Sequence, residues 1–203
     1  LNYIEKKTTE MKSKYILPYL IILLTIPHNF SLAQEVDYES LYESLEWKFV
    51  GPYRGGRSTT AVGLESKPYT FFMGTTGGGV WKTNDAGNTW NNVSDGQITA
   101  GSIAAIAISP SDENIIYVGT GSADPRGNIS SGNGMYKSTD FGENWEFIGL
   151  PKAGLIGKIT IHPKNSDIVY VAVLGDIFGK NPERGIYKTI DGGKNWKNIY
   201  FIS

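Results

Sequence analysis

The chain of 203 residues has no cysteine. Disulfides, thiolate nucleophiles and cysteine-based metal centres are therefore excluded. Histidine is scarce as well, with only His28 and His162 present. There is no excess of one charge: 19 Lys and Arg stand against 20 Asp and Glu, a net charge of −1. A nucleic-acid surface needs a basic excess, so nucleic acid is not an expected partner. The strongest apolar run, residues 16–26, falls short of the ~20 residues that cross a bilayer. No DxDxDG calcium loop occurs. "GTTGGGVWKT" imitates a phosphate loop only superficially, because no helix follows to aim amides at an anion. No metal and no cofactor is expected.

The apolar run has the flanks of an export signal. Lys12 and Lys14 follow Met11, and Ser31-Leu32-Ala33 carries small residues at both positions a signal peptidase reads. We read 1–10 as a leader upstream of the start, 11–33 as a signal peptide and 34–46 as a linker. Cleavage removes Lys6, Lys7, Lys12, Lys14, Glu5, Glu10 and His28, leaving a mildly acidic chain with His162 as its one histidine. No cysteine marks a lipid anchor at the signal. The expectation is export to the periplasm, cell surface or medium, with no membrane span retained.

The remainder is rich in glycine (25 residues) and aromatics (12%), which suits short strands divided by tight turns. It also repeats. "WKTNDAGNTW", "YKSTDFGENW" and "YKTIDGGKNW" share the pattern aromatic-Lys-[Ser/Thr]-x-Asp-x-Gly-x-[Thr/Asn]-Trp. Their aspartates are Asp85, Asp140 and Asp191, a period of about 50 residues, which is that of a propeller blade. Each repeat contains four β-rich runs. They are "STTAVGL", "YTFFMGT", "GVWKT" and "WNNV", then "IAAIAIS", "IIYVGTG", "GMYKST" and "WEFIG", then "IGKITIH", "DIVYVAV", "GIYKT" and "WKNIY". The first two runs of each set are separated by "ESKP", "SPSDEN" and "HPKNSD", and His162 is read as a turn residue of the last. The fold class is all-β: three four-stranded blades in residues 47–203, plus an N-terminal strand at "EWKFVG". Three blades do not close a ring, since propellers need ~4–8. The chain is therefore read as the N-terminal part of a longer one, with its remaining blades as partners.

The shared motif falls in the hairpin between the third and fourth strands. Asp85, Asp140 and Asp191 can accept turn amides. Thr83, Ser138 and Thr189 precede them, and Gly87, Gly142 and Gly193 supply the backbone freedom of the turn. Trp90, Trp145 and Trp196 open the fourth strand and can pack between blades. A catalytic group is needed once and not once per blade, so these acids are expected to be structural.

These stretches resemble the Asp-box, or BNR repeat, of sialidase-like and sortilin-type propellers. With "IYVGTGSADPRGNISSGNGMYKSTDFGENW" and "IGKITIHPKNSDIVYVAVLGDIF" they resemble exported bacterial proteins with a sortilin-like N-terminal propeller, often labelled glycosyl hydrolases. The resemblance covers Trp47 to the end.

The loops between second and third strands lie opposite the boxes, and loops on a rigid scaffold usually carry function. Three places qualify: Arg54 and Arg57 in "GPYRGGRS", Asp124 and Arg126 in "GSADPRGNISSGN", and Asp176 and Arg184, with Lys180 and Glu183, in "LGDIFGKNPERG". Arg57 is the leading candidate, because the glycines before it allow a close approach to the axis. The sialidase resemblance implies an arginine cluster, of which only Arg57 has a counterpart here. The xyloglucanase resemblance implies a catalytic Asp in a first-blade T-D-x-G-G stretch, where this chain has Thr76. Threonine cannot replace the carboxylate that glycoside hydrolysis usually needs. The expectation is a ligand-binding or scaffold domain for a carbohydrate, peptide or protein. The alternative is a glycosidase, sialidase-like or xyloglucanase-like, with its carboxylates outside this chain.

Overall fold

The computed structural model describes residues 42, 43, 45 and 56–201, apart from 125 and 126. The leader, the signal, the linker apart from those three residues, "EWKFVG", Arg54 and Arg126 lie outside the described residues. Residues 56–201 contain strands and turns and, as far as described, no helix.

Twelve strands form three antiparallel sheets of four, each a simple up-and-down meander. Blade one holds β1 (Ser58–Leu64), β2 (Lys67–Thr75), β3 (Val80–Thr83) and β4 (Asn91–Asn92). Blade two holds β5 (Ile103–Ile108), β6 (Ile116–Thr120), β7 (Met135–Ser138) and β8 (Glu146–Gly149). Blade three holds β9 (Ile156–His162), β10 (Asn165–Val173), β11 (Gly185–Thr189) and β12 (Lys197–Phe201). The structure is thus an all-β, unclosed partial β-propeller, and each of the twelve predicted blade strands lies within two residues of an observed one. One reading needs correction. His162 is the last residue of β9, paired with Asn165, and not a turn residue. Its Nδ1 accepts the Lys164 amide at 3.2 Å, so the ring closes a turn shorter than the sequence pattern implied.

The core lies between sheets. One apolar cluster joins blades one and two through Phe72, Val80, Ile103, Ile106, Tyr136 and Trp145. A second joins blades two and three through Tyr117, Met135, Ile156, Ile159, Val171 and Tyr187. The inner strands pack closely because glycine faces isoleucine across each interface. A Cβ on Gly74 would stand 3.0 Å from Ile103 Cβ, and one on Gly119 would stand 2.9 Å from Ile156 Cβ. Sheets only approach this closely where one partner lacks a side chain.

Candidate functional site

The Asp-box hairpins are nearly identical in their bonding. In blade two, Ser138 Oγ donates to Asp140 Oδ1 at 2.8 Å and accepts the Asp140 and Gly142 amides at 3.3 and 2.8 Å. Asp140 Oδ1 also accepts the Glu143 and Asn144 amides at 3.1 and 2.9 Å, while Oδ2 accepts Asn144 Nδ2 at 2.7 Å. Asp85 repeats this with Thr83 and Thr89, and Asp191 with Thr189 and Asn195. The turn carries two successive left-handed residues. Ala86, Phe141 and Gly192 have φ of 58, 62 and 73°, and Gly87, Gly142 and Gly193 have 92, 84 and 99°. Glycine fills the second of these because a side chain there is strained. Hydrogen bonds to the charged form hold each carboxyl down to about 2. The strongest come from Thr89 for Asp85, from Asn144 for Asp140 and from Asn195 for Asp191. Such a group is a poor proton donor or acceptor near neutrality.

The tryptophans differ from one another. Trp145 Nε1 donates to Val93 O of blade one, and Trp196 Nε1 to Ile148 O of blade two, each at 2.8 Å. Trp90 instead turns to Gly87 O of its own hairpin at 3.1 Å. The interblade role expected of all three thus holds for two. The physical reason is that no sheet lies on that side of blade one among the described residues.

On the opposite face, the residue after each second strand donates its amide to the residue before the first. These bonds are Thr76 to Arg57 O at 3.0 Å, Gly121 to Ser102 O at 2.8 Å and Leu174 to Leu155 O at 2.8 Å. Arg57, Ser102 and Leu155 are therefore equivalent positions at the entrance to each inner strand. Ser102 and Leu155 are buried; Arg57 is exposed and is the one charged member of the set. It lines a notch of about 380 Å³ with Gly56, Ser58, Thr59, Thr76, Ser122 and Asp124. Blade one supplies most of this wall, and the β6–β7 loop of blade two supplies Ser122 and Asp124. Thr59 Oγ1 donates to Gly74 O at 3.0 Å and also to Ile103 O, which ties the two blades together at the notch floor. The notch offers one guanidinium, one carboxylate and hydroxyls, a set suited to binding a polar, hydroxyl-rich or carboxylate-bearing group.

The structure brings together Arg57, Thr76 and Asp124. Asp176 and Arg184 do not line this notch. Arg184 bonds the Leu174, Asp176 and Gly179 carbonyls at 3.0, 2.7 and 3.3 Å, and Asp176 Oδ1 accepts the Phe178 amide at 2.9 Å. Both side chains organise their own loop. Ser122 was not singled out in sequence, because serine in a Ser/Gly-rich loop carries no distinguishing signal. Among the described residues no group of three or more His, Cys, Asp and Glu could hold a metal ion, and no helix is long and apolar enough to cross a membrane.

Comparison with known proteins agrees with this architecture. A xyloglucanase of Hypocrea jecorina is 29% identical over 135 residues, covering 60% of this chain and 15% of that protein. Xyloglucanase Xgh74A of Acetivibrio thermocellus is 27% identical over 187 residues, covering 79% of this chain and 20% of the relative. The chain thus spans a fifth or less of the curated relatives it matches here. The crystal structure of an ancestral GH74 enzyme superposes with a TM-score of 0.55 at 22% identity, covering 70% of this chain and 18% of that one, which shows a shared fold. A family model, Sortilin-Vps10, described as sortilin, neurotensin receptor 3, matches residues 78–200, and the chain belongs to that family.

Proposed function

We propose that this chain is the N-terminal part of an exported Asp-box propeller that binds a glycan at the notch formed by Arg57, Thr76 and Asp124. One observation carries the reading: among three equivalent strand-entry positions, only Arg57 presents a charge, and it does so beside a polar notch. Relatives named as xyloglucanases make a xyloglucan-type oligosaccharide the first probe. The Asp-box acids are read as structural, since each is consumed inside its own hairpin.

Hydrolysis is the second reading, favoured by the names of those relatives. It needs two carboxyl groups separated by ~5–10 Å, and Asp124 is the one carboxylate lining the notch among the described residues. A catalytic pair would thus require a carboxylate from outside the described residues. Export rests on the residues 11–33 pattern, and N-terminal sequencing of the secreted product checks it.

The test is titration calorimetry of the chain with xyloglucan oligosaccharides. Wild-type binding that falls at least tenfold in Arg57→Ala, with an unchanged melting curve, supports the assignment. Equal affinity in the variant removes Arg57 from the site. Absence of binding by the wild type at millimolar sugar rejects the glycan.

A further inference from the structure

Among the described residues ten polar side chains are buried, and nine of them have a hydrogen-bond partner. Ser122 is the tenth: it is 4% exposed, and its Oγ has no partner among the described residues. An unmatched buried hydroxyl costs stability and calls for an explanation. Within the same residues, no side-chain nitrogen or oxygen fully sealed from solvent lacks a partner. The Ser122 hydroxyl therefore keeps an opening, and the open space that Ser122 lines is the notch of Arg57, Thr76 and Asp124.

Ser122 also stands apart within its own set of equivalent positions. It follows Gly121, whose amide bonds Ser102 O, so it matches Gly77 after Thr76 and Gly175 after Leu174. Blades one and three thus have glycine there, with φ of 88 and 62°, and blade two alone places a side chain. Space beside Gly77 is open, while the Asn181 side chain covers Gly175.

The backbone that carries Ser122 is fixed from both neighbouring sides. Ser102 accepts the Gly121 amide at 2.8 Å and donates its Oγ to Gly121 O at 3.0 Å. Gly121 has φ of 100°, and a Cβ on it would stand 3.0 Å from Leu155 Cα, at the entrance to blade three. Across the loop, Thr120 Oγ1 accepts the Asn133 and Gly134 amides at 2.9 and 3.0 Å. A group held in this way loses little freedom when it binds a ligand.

The donors and acceptors of the notch select what can enter it. Arg57 only donates, the Asp124 carboxylate only accepts, and the Ser122 hydroxyl does both. A ligand carboxylate answers Arg57 but is repelled by Asp124. A ligand ammonium answers Asp124 but is repelled by Arg57. Neighbouring hydroxyls of a sugar ring answer all three, because each hydroxyl can donate and accept.

We propose, resting on the glycan reading of this notch, that Ser122 is its specificity residue. The Ser122 hydroxyl bonds the innermost hydroxyl of a neutral sugar, and Asp124 turns away a sugar that carries a carboxylate.

The test is titration calorimetry of the full chain with two probes, a xyloglucan oligosaccharide and an oligogalacturonide of equal length. The neutral probe should bind, and the acidic one at least ~10-fold more weakly. Ser122→Ala should weaken xyloglucan binding by about 3–10-fold. The near-isosteric Ser122→Cys should do the same, since a thiol is a weak donor and acceptor. Both variants should keep the wild-type melting curve, because Oγ has no partner in the fold to lose. Asp124→Asn removes the repulsion and should narrow the gap between the probes. Wild-type affinity in both Ser122 variants overturns the floor contact. An oligogalacturonide bound as tightly as xyloglucan, or a gap unmoved by Asp124→Asn, overturns the discrimination by charge. If Arg57→Ala loses xyloglucan while both Ser122 variants keep it, the glycan reading stands and the role of Ser122 falls. If the wild type binds neither probe, both fall.

Discussion

Trp90 and Trp145 occupy the same position of the same motif and differ in what they touch. That difference predicts unequal losses on truncation. Trp145 is 8% exposed, packs in the cluster joining blades one and two, donates its indole N–H to Val93 O at 2.8 Å, and donates its backbone N–H to Gln97 Oε1 at 2.9 Å. Trp145→Ala leaves a cavity between two sheets and an unpaired Val93 carbonyl. Buried aromatic truncations cost about 3–5 kcal/mol, and the orphaned carbonyl keeps the value in the upper part of that range. Trp90 is half-buried and bonds only its own hairpin. Its loss should cost about 1 kcal/mol, the worth of one hydrogen bond and little burial. For a domain of this size 1 kcal/mol corresponds to ~2–4 °C, so Trp145→Ala should lower Tm by about 6–20 °C and Trp90→Ala by only a few degrees. Circular dichroism melts check this. Equal losses for the two variants would refute the claim that interblade docking, and not the hairpin itself, is what the motif's tryptophan secures.

Two further outcomes follow from the same geometry. The box carboxyls titrate at about 2 in the folded chain against an ordinary 3.8. The folded state therefore binds fewer protons between those values, and the stability the boxes provide is complete above about pH 4 and lost as pH falls towards 2. Urea midpoints should drop steeply over that window, and Asp140→Asn should flatten the drop; a midpoint independent of pH there contradicts the bonding described. At the inner strands, Gly119→Ala should cost about 1–3 kcal/mol by overpacking against Ile156. The double variant with Ile156→Ala should then cost less than the two singles together, and strict additivity in denaturant melts would count against that contact.

The sequence disclosed most of the fold and less of the site, for reasons that can be located. Blade boundaries were legible because three Asp-Gly-Trp hairpins recur at fixed spacing and each imposes a local turn. Strand ends moved by a residue or two where pairing continues past the β-rich run, as at Asn165, which joins β10 although asparagine and serine read as turn. What Trp90 touches depends on a neighbouring sheet, which a motif cannot report. The notch was half visible. Arg57 stood out by its glycines, and Asp124 by lying in a long loop. That these two converge depends on how blades are stacked, and Ser122 and Thr59 join them through the same stacking.

The lysine shows where local reading stops. Inside one repeat, Lys82, Lys137 and Lys188 look like ordinary solvated charges on a short strand, and a long cationic side chain usually remains in water. Desolvating it costs free energy unless the charge is matched. For Lys82 the Phe72 ring of its own blade lies beneath the ammonium, and the Phe141 ring, a carbonyl and a carboxylate of the next blade lie beyond it. Lys82 is consequently buried to 8% exposure. Because every match beyond the ring comes from the following blade, the residue reads as a link between sheets and not as part of its own. Lys82→Met tests this: it keeps the stem that covers Phe72 and removes the charge. If the lysine joins the blades through its ammonium, Lys82→Met should still lower the urea midpoint, because the half-buried Phe141 O loses its donor and the exposed Glu143 its partner; a hydrogen bond from a charged donor is worth about 1.5–3 kcal/mol at most, and the exposed pair adds little. Lys188→Met, whose ammonium has no such partner among the described residues, should leave the midpoint within about 0.5 kcal/mol of wild type. Losses of the same size in both would mean that the lysine stabilises its own blade, and the interblade assignment would fall.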